Sequence, residues 1–246
     1  DYWTETETYD SLKYYINYNL DGLKDAIISM LGGEKYRINI RTFQNDLTSL
    51  KNKDDVMTLL VHLGYLAYDS TAKEVYIPNQ EVAEEFKNAV EYNQWEGVSS
   101  ALHKSDELLI ATLQQNEGLV EQYLDEIHSA NTSVLAYHNE QSLSCVITIA
   151  YYTAQKDYTL IRELPTGKGF ADIVFLPRKH TDKPALIVEL KWDRSAQGAI
   201  DQIKQKHYID ALKDYTGNLL LVGINYNKET KEHQCKIEKY CNSSMS

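Results

Sequence analysis

The sequence predicts an α/β fold, α+β overall: a mixed sheet flanked by helices over residues 131–246, preceded by a mostly helical, winged-helix-like segment over residues 1–130. Three observations carry this. Residues 169–178 and 184–192 are short runs rich in Ile, Val, Leu and Phe, bounded by Gly or Pro and separated by a polar turn, the pattern of two buried strands. A helical stretch at residues 195–215 and a further apolar run at 217–225 follow them. Residues 1–130 instead repeat apolar side chains mostly at helical spacing, and they carry 23 acidic and 10 basic residues against 13 and 15 in residues 131–246. That asymmetry separates two modules with different tasks.

In the first module Leu12, Tyr15, Ile16 and Leu20, then Leu23, Ile27, Ile28 and Leu31, fall near helical spacing, and Gly32-Gly33 stops the second helix. Residues 36–40 alternate like a strand. Asp54-Asp55 begins a helix with Val56, Leu59, Leu60 and Leu63 inward. After Gly64, residues 65–77 read as a hairpin turning near 69–72, and residues 81–90 as a helix. Helix, hairpin, helix is the outline of a winged helix, a shape that can bind DNA. Residues 54–63 hold no Arg or Lys, which readers of bases and phosphates generally need, so a structural or protein-contact role is favoured. Residues 91–130 read as amphipathic helices, one capped by Ser105 or Asp106, with a break at Asn116-Glu117-Gly118. Glu121, Asp125 and Glu126 read as a solvated face, and His128 as a surface or capping histidine.

The second module opens with a largely buried helix over residues 135–152, with Glu140 near its start. Residues 158–165 form a strand containing Glu163, a possible further acidic ligand. The two central strands and the 195–215 helix follow, with Ala196, Ala199, Ile203 and Ile209 inward. Residues 217–225 are a buried strand and 233–240 an edge strand.

Composition narrows the classes. A chain of 246 residues can bury one large or two modest cores, and 43% hydrophobic with 25% charged residues is ordinary for a globular protein. No apolar run approaches the ~18 residues of a membrane helix. Cys145, Cys235 and Cys241 are odd in number and scattered, which points to a reducing compartment, a cytoplasmic location, and no zinc site. The first residue is Asp1, so a longer protein is expected. The motifs G-x-x-x-x-G-K-[ST], G-x-S-x-G and H-E-x-x-H are missing, so neither ATP binding nor those hydrolase chemistries are expected here.

Charge stands where the central strands should be apolar: Asp172 early in the first, Glu189 and Lys191 late in the second. Side chains two apart on a strand share a face, roughly 7 Å apart. Ionised groups in a buried strand are costly unless they pair or bind a metal. Two carboxylates and a lysine on one sheet are a plausible site for a hard divalent cation and the water it activates.

Asp172 followed by Glu189-Leu190-Lys191, in the order strand, turn, strand, long helix, resembles the signature of the PD-(D/E)XK nuclease superfamily. The residue before the Asp is Ala171 rather than Pro. The resemblance implies a restriction-endonuclease-like sheet and metal-dependent hydrolysis of nucleic acid, most plausibly DNA. It assigns Asp172, Glu189 and the Leu190 carbonyl to one or two Mg²⁺ (or Mn²⁺) ions, and Lys191 to the attacking water and the developing negative charge. By position on the first helix it adds Glu140 as a further metal ligand, with a surface or helix-dipole Glu as the alternative. A subset of the superfamily has a Gln…Tyr motif on the helix after the signature. Gln202 and Tyr208 match in kind but are six apart rather than four, so only Gln202 is carried over.

Tyr2-Trp3-Thr4, Phe43-Gln44-Asn45-Asp46, residues 62–66 and Ile77-Pro78-Asn79 resemble the segment between an AAA-ATPase-like domain and a PD-(D/E)XK domain in a family of uncharacterised bacterial proteins. This implies an ATPase-like domain upstream of Asp1. Two rival readings stand beside the nuclease. Asp172, Glu189 and Lys191 can form a buried ion-paired cluster with no metal. The module can also be a non-catalytic nucleic-acid or protein interaction unit on the same scaffold. The net charge of −11 favours that last reading, and retention of all three signature residues favours the enzyme.

Overall fold

The computed structural model describes residues 5–43, 50–129, 140–166, 169–179, 181–206, 212 and 218–240, with only the backbone at positions that include Glu140 and Glu163. They form two compact units, Asp1–Ser100 and Ala101–Ser246.

The first unit contains helices α1 (Glu5–Ile16), α2 (Leu23–Leu31), α3 (Lys53–His62) and α4 (Gln80–Tyr92), with strands β1 (Tyr36–Arg37), β2 (Ala67–Asp69) and β3 (Glu74–Tyr76) in the order β1-β3-β2. The helix–hairpin–helix outline is present, and β1 adds a third strand. Asn52 caps α3 in a capping box with Asp55, whose carboxylate accepts the Asn52 N–H. Asp69 Oδ1 accepts the N–H groups of Thr71 and Ala72 at 2.9 and 3.1 Å, which closes the hairpin turn. The expected strand at 36–40 is shorter: Ile40–Thr42 turns into a 3₁₀ helix capped by Asn39. Leu12, Ile16, Ile27, Val56, Leu60, Val75 and Phe86 fill the core.

Helix α5 (Glu96–Leu113) crosses the division at residue 100 and runs unbroken through Ser105. Ser105 is no cap. Its buried hydroxyl lies 2.9 Å from Thr153 Oγ1 and accepts the Thr153 N–H. Helices α6 (Glu117–Ser129) and α7 (Glu140–Ala150) follow, then a 3₁₀ turn at Tyr152–Lys156. The start of the expected 135–152 helix lies outside the described residues.

Strands β4 (Tyr158–Thr166), β5 (Gly169–Pro177), β6 (Ala185–Trp192), β7 (Leu219–Asn227) and β8 (Glu232–Tyr240) make one mixed sheet in sequence order. Only β6 and β7 run parallel, and helix α8 (Ala196–Gln205) makes that crossover. Residues 207–211 and 213–217 of the expected helix, Tyr208 included, lie outside the described residues. Both faces of the sheet are covered, which explains continuous apolar runs in place of alternation. On one face Val174, Ala185, Ile187, Leu219 and Leu221 pack with Ile200 and Ile203 of α8. Gly223 lets α8 approach, since a Cβ there would stand 2.3 Å from the Ala196 carbonyl oxygen. On the other face Tyr151 meets Phe175 with ring centres 5.5 Å apart.

The acidic face of α6 is part-solvated, with the Asp125 and Glu126 side chains 38% exposed, and it also serves the sheet. Glu117, Glu121 and Asp125 accept the N–H groups of Ile237, Cys235 and His233 at 2.9, 2.8 and 2.8 Å. Four helical residues rise about 6 Å and two strand residues about 6.8 Å, so carboxylates at i, i+4 and i+8 keep step with alternate edge amides. The edge of the sheet is thereby closed by side chains.

Candidate active site

Antiparallel pairing of β5 with β6 ends at Ile173–Val188, and one step further Asp172 stands opposite Glu189. Directly opposed residues share a face, so both carboxylates lie on the α8 side. Asp172 Oδ2 accepts the Leu190 N–H at 2.7 Å, replacing a backbone acceptor where the strands part. In a strand the N–H and C=O of one residue point to the same edge, so the Leu190 carbonyl also faces this gap. The register places Glu163 of β4 across from Asp172, between the pairs Arg162–Ile173 and Leu164–Ala171.

Glu189 is 1% exposed. Its Oε1 accepts from Lys191 Nζ at 2.9 Å and from Gln202 Nε2 of α8. Its Oε2 is buried and has no hydrogen-bond partner among the described residues. Burial, then the Asp172 charge, pushes the Glu189 carboxyl up to about 7, against the pull of Lys191 and Lys206. A buried carboxylate oxygen without a donor is the kind of group whose partner is an ion or water.

The geometry therefore brings together Asp172, Glu189, Lys191, Gln202 and the Leu190 main chain. Glu140 opens α7, and its side chain lies outside the description, as does that of Glu163. Among the described residues no cluster of three or more His, Cys, Asp or Glu side chains could hold a metal. A hard ion that keeps several waters needs only one or two carboxylates, so this pair with a carbonyl fits one. Lys204 is engaged elsewhere, 2.5 Å from Glu238 Oε2. His128 is half-buried in the last turn of α6: its ring lies 4.8 Å from Tyr226 and 5.7 Å from His233, and burial pushes it down to about 4.

Sequence reasoning passed over Asn225. It is buried, in register with Lys191, and its Oδ1 accepts the Arg194 N–H at 2.9 Å. Beside it Asp193, at φ 52°, donates its N–H to the Tyr226 carbonyl and accepts from Lys228 N. These bonds fix the turn between Lys191 and α8, the helix that carries Gln202. A polar residue ending an apolar run was the available signal.

No helix among the described residues is long and apolar enough to cross a membrane. Residues 138–236, which enclose the whole constellation, match the sequence model of the PD-(D/E)XK nuclease superfamily. Comparison with the curated proteins finds no match.

Proposed function

We propose that this chain hydrolyses phosphodiester bonds of DNA with Mg²⁺ or Mn²⁺, since residues 138–236 match the sequence model of the PD-(D/E)XK nuclease superfamily, whose members generally use divalent metals. The observation that carries the reading is Glu189: a buried carboxylate with one oxygen held by Lys191 and Gln202 and the other without a donor among the described residues, beside Asp172. Asp172, Glu189 and the Leu190 carbonyl would hold the cation, with Glu140 as a further ligand. When bound, the cation supplies Lewis acidity toward a phosphate oxygen and acidifies a coordinated water.

The chain's own residues do the rest. Gln202 and Lys191 hold Glu189 Oε1, which leaves Oε2 as the free lone-pair edge of the carboxylate. Lys191, 16% exposed at the side chain, reaches from the buried pair toward the surface. There its ammonium orients the attacking water and donates to the phosphate oxygen that gains charge. Asn225 acts through the turn that sets Lys191 against α8. The nuclease-like domain, expected from the sequence at residues 131–246, takes in α6 as well, since Glu117, Glu121 and Asp125 bond to β8; the residues before it are the segment that joins it to an ATPase-like domain upstream, and the protein works in the cytoplasm.

The test is cleavage of plasmid and single-stranded DNA by the purified chain in Mg²⁺ and in Mn²⁺, beside a Lys191→Ala variant. Metal-dependent nicking lost in the variant is the expected result. A second reading, a non-catalytic interaction module on this scaffold, draws on the net charge of −11. It stands if DNA is bound but never cut in either metal.

A further inference from the structure

The last turn of α8 sets two lysines in different surroundings. Lys204 is paired with Glu238 of β8. Lys206 lies two residues on, about 200° further round the helix, since each residue turns it by about 100°. It is half-buried and forms no salt bridge among the described residues. Four residues before it, Gln202 reaches Glu189 Oε1. Residues four apart share a helix face, so Lys206 continues the Gln202 stripe, about 6 Å along. Its N–H donates to the Gln202 carbonyl at 2.9 Å, which closes the turn and fixes the two positions against each other. As the crossover between two parallel strands, α8 runs opposite to β6. Passing from Gln202 to Lys206 therefore leads toward the start of β6, whereas Lys191 lies toward its end. The two lysines approach Glu189 from opposite directions along that strand. Glu189 feels both: burial and Asp172 raise its carboxyl, and Lys191 and Lys206 pull it back down.

A DNA strand brings a row of phosphates to a pocket that already holds two carboxylates, Asp172 and Glu189. A bound divalent ion and Lys191 answer the charge of the phosphate being cut. The neighbouring phosphates still meet acidic surroundings, and a cation not already neutralised by a carboxylate is what positions them. Lys206 has that charge and that place. Lys204, paired with Glu238, does not. We infer that Lys206 holds a second substrate phosphate, next to the one that is cut, on the side of Glu189 away from Lys191. The inference rests on the nuclease reading for its ligand, and it adds the path of the strand: from Lys191, past Glu189, to the C-terminal end of α8.

The full chain is titrated in EDTA, where a metal-dependent nuclease cuts nothing, against a labelled DNA duplex across a salt series, with fluorescence anisotropy as the readout. Lys206→Gln is expected to weaken binding about five-fold and to make the slope of log affinity on log salt shallower by about 0.9, the share of one phosphate contact. Lys206→Arg keeps both near the wild type, since either cation pairs with a phosphate, and Lys204→Gln leaves both unchanged. In Mn²⁺, Lys206→Gln raises KM more than it lowers kcat, as a contact made alike in the bound and the reacting state requires. An unchanged salt slope in Lys206→Gln, or an equal change in Lys204→Gln, overturns the inference. So does a lower melting temperature with unaltered binding, which would make Lys206 a cation serving only the helix dipole. The absence of any DNA binding overturns it too. A chain that binds DNA through Lys206 and never cuts it sinks the nuclease and spares the contact. A chain that cuts, with the Lys206→Gln slope unmoved, does the reverse.

Discussion

Two sets of carboxylates in the second unit meet opposite fates. Along α6, Glu117, Glu121 and Asp125 each take a backbone N–H of β8. At the sheet centre, Asp172 takes the Leu190 N–H, while Glu189 keeps an oxygen with no donor among the described residues. The first set completes a hydrogen-bond pattern that an edge strand would otherwise leave open, so its charge stabilises the fold. The second sits where two strands part, desolvated and crowded by a like charge, and its carboxyl is pushed up to about 7.

The sharpest way to break this contrast is at Lys191. Lys191→Arg should lower DNA nicking by at least about a hundred-fold while the melting temperature moves little, since it keeps a cation against Glu189 but not the compact ammonium. A comparable loss in cleavage and in melting temperature would make Lys191 a structural ion-pair partner.

Next in size is a pH effect. Glu189 ionises near 4.5 when unfolded and near 7 when folded, so between those values the folded state holds the extra proton. Stability from this group is present below about 4.5 and is lost as pH rises through 7, by about 3 kcal/mol in all. Chemical denaturation at a series of pH values should show this decline, Glu189→Gln should flatten it, and Mn²⁺ should oppose it above pH 7 by favouring the ionised form. A stability curve unchanged by Glu189→Gln would remove the contrast with α6.

On the other side, Glu121→Ala should cost about 2 kcal/mol, because the Cys235 N–H loses a charged acceptor at a buried strand. Cleavage per folded molecule should not change. The smallest effect is Glu121→Gln, which keeps an acceptor oxygen in place and should cost under about 1 kcal/mol by the same measurement. If both variants melt like the wild type, the carboxylate ladder is ornamental.

The central site was legible because strand periodicity is strict. Asp172, Glu189 and Lys191 had to share a face once their runs were read as neighbouring strands, and the register obliges. Gln202 was reachable only through family resemblance, and its bond to Glu189 places it at the site. Asn225 showed only as a polar residue ending an apolar run, because nothing local says which strand lies beside Lys191. Ser105 was misread, and the bonds of the α6 acids to β8 were missed, for a related reason. A serine, or an acid on an amphipathic helix, has the same local pattern whether it faces water or a strand edge.

The amino-acid sequence alone determined the sheet-forming runs, the crossover helix, and the shared face of two acids and a lysine, because side-chain alternation along a strand is a local rule. Tertiary structure decided which polar groups are satisfied. It set the α6 carboxylates against β8 and left Glu189 Oε2 open, since hydrogen-bond partners far apart in sequence are chosen only when the elements dock.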